Sequence, residues 1–398
     1  MSHPVIVAAV RTPIGAIGGG LAPLLATDLA TTCMRALLAS IELDPKLVEY
    51  TCMGWVMQDP RSPNLAKTAA EKAGVPPTSP GTTFHENCAS GGAAIHSLAR
   101  RIALGEVSLG IAGGVESMSN VPRYLYSGRL KNQLYGDMAL VDGLMGALTD
   151  TEVAGGELMG LLTERLVEKY GVSRQEQDEV AYLSHLHARE TWEKGLFDGY
   201  VVPVEVPRPK KEPIVVARDE GPRAVTREEL AAVRPYFKRD GGTITGANAS
   251  TLNDAAAAVV LASRERAAEL GLAPLAELRS FWNVGVPREF MGEGAFKVVP
   301  PLLARAGLSF SDVDYFELNE AFAAVLGAAF HDLPDLRRER TNQWGSGISL
   351  GHPVGCTGAR QVVDMIWQLR RRGGRLGVTS RCVGGGVGSG EVLEIPGA

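Results

Sequence analysis

Short apolar runs alternate with amphipathic segments along the first part of the chain. Residues 5–10 and 107–112 form small apolar runs typical of buried strands. Residues 28–40 and 64–74 instead repeat their apolar positions at helical spacing. Strands that alternate with helices predict an α/β protein whose sheet is largely buried.

From residue 119 to about 246 the pattern changes. This segment is rich in charged residues, has few strand signals, and predicts helices over 156–170 and 174–194. We expect it to lie as loops and helices over the α/β core. Small apolar runs return after residue 246. The pattern therefore predicts an N-terminal half over 1–118, completed by about 247–270, a loop domain over 119–246, and a C-terminal half over 271–398.

Two segments suggest an internal duplication. Cys88 precedes an apolar helical run that ends at Gly105, and Cys356 precedes a run of equal length that ends at Gly373. Each run is followed by a strand pattern and consecutive glycines. A single match of this kind also arises by chance among α/β units, so both explanations stay open at this point.

Composition narrows the function classes. The chain has 398 residues with 45% hydrophobic and 21% charged residues, which is typical of an ordered globular protein. A net charge of −5 argues against nucleic acid as a partner, because phosphate contacts require an excess of Lys and Arg. Five cysteines form no disulfide framework. Since no leader pattern and no membrane-length apolar run is visible, we expect a soluble cytoplasmic protein without a membrane partner.

Candidate chemistry lies where reactive side chains meet glycines or predicted element boundaries. Cys88 precedes a helix, whose N-terminal N–H groups favour a thiolate; a buried structural cysteine is the alternative. His352 lies in the glycine-rich loop 351–355, which favours a close backbone approach with the imidazole at the mouth of the loop; a turn with a surface histidine is the alternative. Cys382 ends a strand pattern before the glycine turn 384–386. The backbone N–H groups of such a turn can bind an oxyanion; a tight connection between two strands is the alternative.

Asn319 is the fourth candidate, because it follows a strand pattern and precedes a helix. Its amide suits a bound water or a substrate carbonyl, or it caps that helix. His185 and His187 lie on a polar helix and are interpreted as ordinary solvated residues. The sequence contains no zinc-binding cysteine pair, so we expect no metal site. It also lacks the P-loop motif of phosphate-binding proteins.

The order of these motifs resembles the thiolases, the acetyl-CoA C-acyltransferase family. The similarity covers nearly the whole chain. Its motifs are RTPIG at 11–15, CASG at 88–91, GGVESMS at 113–119, NAS at 248–250, NEAF at 319–322, GHP at 351–353 and CVGGG at 382–386.

The resemblance implies the thiolase fold: two similar α/β halves that form a five-layered αβαβα core, plus an inserted loop domain. It implies reversible acyl transfer through an acyl-enzyme on Cys88, either thiolysis of a 3-ketoacyl-CoA by CoA or Claisen condensation of acetyl-CoA. CoA and acyl-CoA are then substrates, with no resident cofactor, and the chain is expected to form a homodimer or homotetramer.

The resemblance also implies roles for single residues. Cys88 matches the nucleophile, His352 the base that activates it, and Cys382 a second acid/base. Asn319 matches the residue that holds a water in one oxyanion hole, shared with His352, and the N–H groups of Cys88 and Gly384 match a second hole. The predicted substrate pocket consists of Leu158, Met159, Arg223, Ser250, Ala321 and Phe322, with Arg223 at the CoA nucleotide end.

Some positions depart from the family pattern. His85 replaces a usual Asn, Gly92 replaces a bulky apolar residue, and Leu158 replaces the histidine of short-chain biosynthetic members. Residues 148–150 nevertheless resemble the biosynthetic loop, so the acyl chain length stays open. The alternatives are a ketoacyl synthase-like condensing enzyme, which pairs its cysteine with two histidines or with histidine and asparagine, and a non-catalytic acyl-CoA-binding homologue.

Overall fold

A computed structural model describes residues 3–126, 137–150 and 155–397. Its strands are β1 (Pro4–Arg11), β2 (Gly15–Ala16), β3 (Tyr50–Gly54), β4 (Gly81–Phe84), β5 (Leu109–Ser117), β6 (Arg123–Tyr124), β7 (Val141–Asp142), β8 (Thr149–Asp150), β9 (Glu157–Leu158), β10 (Val204–Arg208), β11 (Lys211–Val216), β12 (Asn253–Ser263), β13 (Ala276–Gly285), β14 (Tyr315–Leu318), β15 (Leu376–Val383) and β16 (Val387–Glu394). Its α-helices are α1 (Ala26–Ala39), α2 (Leu65–Lys72), α3 (Ser90–Ala103), α4 (Gly143–Ala147), α5 (Met159–Tyr170), α6 (Arg174–Glu193), α7 (Arg227–Ala232), α8 (Arg264–Glu269), α9 (Gly294–Lys297), α10 (Val299–Ala306), α11 (Ala323–Asp332) and α12 (Val354–Arg372).

The large strands follow one hydrogen-bonded path in the order β14-β15-β16-β13-β1-β12-β5-β3-β4, with β2 beside β12. Strand β3 pairs parallel with β4 and β5, and β14 pairs parallel with β15; the other neighbours are antiparallel. Two residue pairs join β1 to β13, Val5 with Glu277 and Ile6 with Ala276. This narrow junction divides the path into an N-terminal and a C-terminal half.

Strand β12 shows why the sheet is buried on both faces. Ala256, Ala258 and Val260 belong to a hydrophobic cluster with α1 and α2, whereas the intervening Ala257 and Val259 belong to a cluster with α3 and α12. This alternation follows from the two-residue period of a strand. Helices α9 and α10 pack on the outer face of the C-terminal half. The layers are thus helices, strands, central helices, strands and helices, which confirms the predicted αβαβα core.

Two like units meet in the central layer. The loop of Cys88, α3 and β5 form one, and the loop of His352, α12 and β15 form the other. Each helix is followed by a left-handed glycine, Gly105 at φ 74° and Gly373 at φ 73°, where a Cβ is disfavoured. The two helices approach closely, because a Cβ on Gly91 would lie 2.8 Å from the backbone nitrogen of Ala359. This arrangement supports the internal duplication.

The inserted segment contains α5, α6 and α7 and also the hairpin of β10 and β11, which the charge pattern did not predict. Buried Arg11 joins the segment to the core, because its guanidinium bonds Asp219 and Asp364, each at 2.7 Å. Strand β12 then lies between β1 and β5, so the chain returns to the N-terminal half after residue 246. Of the helices in the described ranges, none is long and apolar enough to cross a membrane.

Candidate active site

Cys88 lies in a tight loop between β4 and α3. Asn87 has a φ of 43°, a left-handed conformation that asparagine tolerates. The hydroxyl of Ser90 donates to the carbonyl of Asn87 at 2.7 Å and accepts the N–H of Glu86 at 2.8 Å. The Asn87 amide donates to the carbonyl of Gly384 at 2.7 Å. These bonds hold the half-buried Cys88 against the glycine turn after β15.

His352 lies in the loop that precedes α12. Its backbone N–H donates to Asn253 at 2.9 Å. The preceding Gly351 has a φ of 116°, and a Cβ there would lie 2.6 Å from the Asn253 side chain, so this close approach requires glycine. The result is a distance of 3.3 Å between His352 Nε2 and Cys88 Sγ.

Thr357 determines the tautomer of His352. Its Oγ1 lies 2.7 Å from His352 Nδ1 and 3.0 Å from the carbonyl oxygen of Pro353. A hydroxyl carries one hydrogen, and the carbonyl accepts it, so Thr357 accepts the Nδ1–H of the imidazole. Nε2 is then unprotonated and directed at the thiol, as a general base requires.

Burial decides the resting charges of this pair. Burial, together with the positive charge of Arg360, lowers the pKa of His352 to about 3. Burial raises the pKa of Cys88 to about 11, although the N–H groups of Gly384 and of Cys88 itself act in the opposite direction. The pair therefore rests as a neutral thiol and a neutral imidazole.

A cavity of about 80 Å³ joins the two side chains to most of the other predicted residues. The predicted residues that line it are Cys88, Met159, Ser250, Ala321, Phe322, His352, Cys382 and Gly384. Sequence reasoning missed five further lining residues, Asn87, Ala147, Leu148, Met291 and Val354. Burial and the neighbouring Cys88 raise the pKa of Cys382 well above its usual value, so its thiol also rests protonated.

Asn319 is buried, and it is not among the described residues that line this cavity. Its backbone N–H donates to Ser380 at 2.8 Å, but neither heteroatom of its side-chain amide has a hydrogen-bond partner among the described residues. Helix α11 begins at Ala323 and is capped without a side-chain bond, so Asn319 does not cap it. A buried amide without a protein partner costs free energy and is typical of a functional position.

Two predicted pocket residues lie elsewhere. Leu158 pairs with Thr149 between β9 and β8 and is half-buried, while Arg223 is exposed. Neither is among the described residues that line the cavity. Their contacts to the CoA part of a substrate stay predictions.

The expectation of solvated histidines on α6 is wrong. His185 is 2% exposed, and burial together with the charge of Arg223 lowers its pKa to about 4. His187 is half-buried, with Nδ1 at 3.0 Å from the carbonyl oxygen of Asn342. The polar face of α6 was expected to contact solvent, but it packs on buried polar groups of the core. For example, the Ser184 hydroxyl donates to Glu320 at 2.6 Å.

Glu116 is a further residue that sequence reasoning did not single out. It is the penultimate residue of the buried strand β5 and accepts the N–H groups of Val56, Met57 and Gly355 at 2.9–3.3 Å. Burial raises its pKa to about 7. The available signal was a carboxylate within an apolar strand, which is rare unless it has partners. Through Gly355, Glu116 holds the start of α12 beside His352.

The described residues contain no group of three His, Cys, Asp or Glu side chains that could hold a metal ion. All five cysteines are free thiols.

Comparison with known proteins agrees with this geometry. The family model described as thiolase, N-terminal domain, matches residues 4–265, and the model described as thiolase, C-terminal domain, matches residues 272–395. A protein of Staphylococcus epidermidis named "Probable acetyl-CoA acyltransferase" is 39% identical over 399 residues, with 99% of each chain covered. A protein of the same name from Staphylococcus aureus is 40% identical over 396 residues, again with 99% of each covered.

Solved structures extend the similarity to the fold. The acetyl-CoA acetyltransferase of Bacillus anthracis superposes with a TM-score of 0.95 at 41% identity and 99% coverage of both chains. Human mitochondrial 3-ketoacyl-CoA thiolase superposes with a TM-score of 0.94 at 34% identity, also with 99% of both chains covered. Since family models, relatives and structures all match along nearly the full length, this chain belongs to the thiolase family and is an acyltransferase.

Proposed function

We propose that the thiolase activity of this chain proceeds through an acyl group held covalently on Cys88. The observation that carries the proposal is the 3.3 Å approach of Cys88 Sγ to Nε2 of a neutral imidazole, in one cavity with a second thiol. A nucleophile paired with an oriented base is the arrangement that covalent catalysis needs.

In thiolysis, Sγ of Cys88 attacks the 3-keto carbon while its proton passes to Nε2 of His352. The bond between C2 and C3 then breaks, and the departing acetyl-CoA carbanion takes the thiol proton of Cys382. Incoming CoA returns a proton to Cys382 and attacks the acyl thioester. Cys88 leaves as a thiol with the proton from His352, so both residues regain their resting states.

Negative charge develops on carbonyl oxygens in these steps. The N–H groups of Cys88 and Gly384, which already act on the thiol of Cys88, are suited to the oxyanion of the acyl group. The unpartnered amide of Asn319 is suited to hold a water against the enolate oxygen of the acetyl part. We assign the two oxyanion sites in this way.

CoA thioesters are the proposed substrates, and a resident cofactor is not required, since thiols and imidazole perform each step. Human mitochondrial 3-ketoacyl-CoA thiolase, solved in complex with CoA, is 35% identical to this chain. Five free thiols suit a reducing cytoplasm. Strand β4 ends the sheet path, and one of its edges has no strand partner among the described residues, which supports a homodimer or homotetramer.

Two matters of substrate use stay open within this proposal: the acyl chain length, and whether the chain works in thiolysis, as in β-oxidation, or in condensation. A ketoacyl synthase-like enzyme is less well supported, because a second thiol, that of Cys382, lines the cavity together with Cys88 and His352. A non-catalytic homologue has no need of the paired thiol and imidazole.

Thiolysis of a ladder of 3-ketoacyl-CoA substrates, from four carbons upward, tests the proposal. We expect turnover on at least one member and a mass increase equal to the acyl group on Cys88. With acetyl-CoA as the acyl donor, Cys382→Ser should still become acylated at Cys88, because CoA can leave as a thiolate and no carbon–carbon bond breaks, but this variant should lose both thiolysis and condensation. Absence of acylation in that variant, or of activity on every substrate, would contradict the proposal.

A further inference from the structure

A buried arginine lies between α3 and α12, the two helices that follow the loops of Cys88 and His352. Arg381 directly precedes Cys382 on β15, and its side chain is fully buried. A Cβ on Gly92, in the first turn of α3, would lie 2.5 Å from its Nη1, and so would a Cβ on Gly358 near the start of α12. The guanidinium thus occupies the space that side chains at these two positions would fill.

This position is unusual for a cation, because the start of a helix carries positive partial charge. Glu391 on β16 compensates it, with Oε1 at 2.5 Å from Nη2 of Arg381. His96 Nε2 lies 3.1 Å from the other carboxylate oxygen, and Thr379 donates to the carboxylate. Burial alone would raise the pKa of Glu391, but the charge of Arg381 and these hydrogen bonds lower it to about 2. Both members of the pair are therefore ionised.

The cation is nearer to the start of α3 than the anion is. The Cβ position of Gly92 lies 2.5 Å from Nη1 of Arg381 but 3.8 Å from the carboxylate of Glu391. Moreover, Nε and Nη1 of Arg381 have no acceptor among the described residues. A positive potential that is incompletely neutralised therefore acts at the end of α3 that adjoins Cys88.

The other groups around Cys88 do not duplicate this charge. His352 faces it as a neutral imidazole, and Cys382 faces it as a thiol. Glu116, on β5, acts in the opposite direction and raises the pKa of Cys88, whereas the charge of Arg381 lowers it. Arg360, on α12, acts on His352.

We propose that Arg381 is a positioning residue whose buried charge stabilises negative charge at Cys88, both on the thiolate and on the oxyanion formed beside it. Glycine at position 92 leaves the space that the guanidinium of Arg381 occupies, and any side chain there would displace it. The departure of Gly92 from the family pattern thus has a physical reason in this chain. The inference rests on the proposed role of Cys88 as acyl acceptor.

The test is the pH dependence of Cys88 alkylation by iodoacetamide between pH 7 and 11, with the labelled residue identified by peptide mass spectrometry. Arg381→Met should raise the apparent pKa of Cys88 and slow labelling at pH 8 about tenfold for each unit of pKa. Glu391→Gln leaves the cation unneutralised, so it should lower the pKa and speed labelling. Arg381→Lys keeps the charge and should lie between Arg381→Met and the unchanged protein.

The opposite signs separate electrostatics from damage to the fold. Cys33, Cys52 and Cys356 are buried and should stay unlabelled in every variant that folds. If Arg381→Met fails to fold, Glu391→Gln and Arg381→Lys still give the two signs. An unchanged pKa, or a shift in the same direction for Arg381→Met and Glu391→Gln, would overturn the inference. Because alkylation measures the thiol itself, that result would leave the proposed acyl-enzyme untouched, and acyl trapping on Cys88 tests the latter separately.

Discussion

The unit that carries Cys88 and the unit that carries His352 share one architecture. In each, a loop enters a long helix of the central layer, a left-handed glycine follows the helix, and a buried strand comes next. The two loops meet where Sγ and Nε2 approach to 3.3 Å. The shared frame thus explains how residues far apart in sequence form a pair.

The strands of the two units differ in their buried charges. Strand β5 carries Glu116, which accepts an N–H from the start of α12. Strand β15 carries Arg381 and Cys382, and the arginine lies against the start of α3. The repeated backbone thus places two different reactive side chains, a thiol and an imidazole, against each other, and the buried charges behind the two loops also differ.

The two cysteines that begin the matched runs give the sharpest contrast. Cys88→Ala should reduce thiolysis by at least about 10⁴-fold, because the acyl acceptor is lost. Cys356 is buried within α12 and does not line the cavity, so Cys356→Ala should keep activity within a few-fold. Steady-state thiolysis of both variants measures this, and wild-type rates in Cys88→Ala would refute the assignment.

Asn319 lies in the C-terminal half, directly after β14. Asn319→Ala should lower kcat by about 10²–10³-fold, as expected for loss of one oxyanion contact. Acylation of Cys88 by acetyl-CoA should proceed, because no enolate forms in that step and the oxyanion site for the acyl group is backbone. The measurements are kcat and the amount of trapped acyl-enzyme; an unchanged kcat would argue that the amide is merely structural.

Thr357 orients the imidazole of the second unit. Thr357→Val removes the acceptor of Nδ1–H and should lower kcat about 10–100-fold, by analogy with lost partners of other functional histidines. Thr357→Ser keeps the hydroxyl and should restore most of the rate. The contrast between the two variants in kcat, with KM little changed, checks this; equal rates would show that the hydroxyl does not set the tautomer.

Glu116 and Glu391, two of the buried carboxylates, should give opposite dependences of stability on pH. Glu116 has its folded pKa raised to about 7 from 4.5, so its contribution to the free energy of unfolding falls as pH rises through that window. Glu391 has its pKa lowered to about 2, so its contribution is present above 4.5 and is lost as pH falls toward 2.

Urea unfolding of Glu116→Gln and Glu391→Gln across pH measures these slopes. Glu116→Gln should flatten the decline between pH 4.5 and 7, and Glu391→Gln should flatten the loss below pH 4.5. Each substitution also costs about 1–3 kcal/mol in lost hydrogen bonds. Slopes that match the unchanged chain in both windows would contradict the assigned charges.

Much of the site was predictable because motifs and periodicity are local. The thiolase motifs predicted Cys88, His352 and Cys382, and all three line one cavity. The strand–helix alternation predicted the layered core. Burial of His185 and the hairpin of β10 and β11 were not predicted, because both depend on what packs against a segment and not on its own composition.

The sequence by itself determined the family, the alternation of strands and helices in the α/β halves, and the reactive residue types, since these reside in contiguous motifs and in periods of two and 3.6 residues. Only the tertiary structure decided the tautomer of His352, the burial of Glu116, and the match of Gly92 to Arg381. Each of these depends on an approach of a few ångströms between elements distant in the chain, where desolvation and close packing determine charge and conformation.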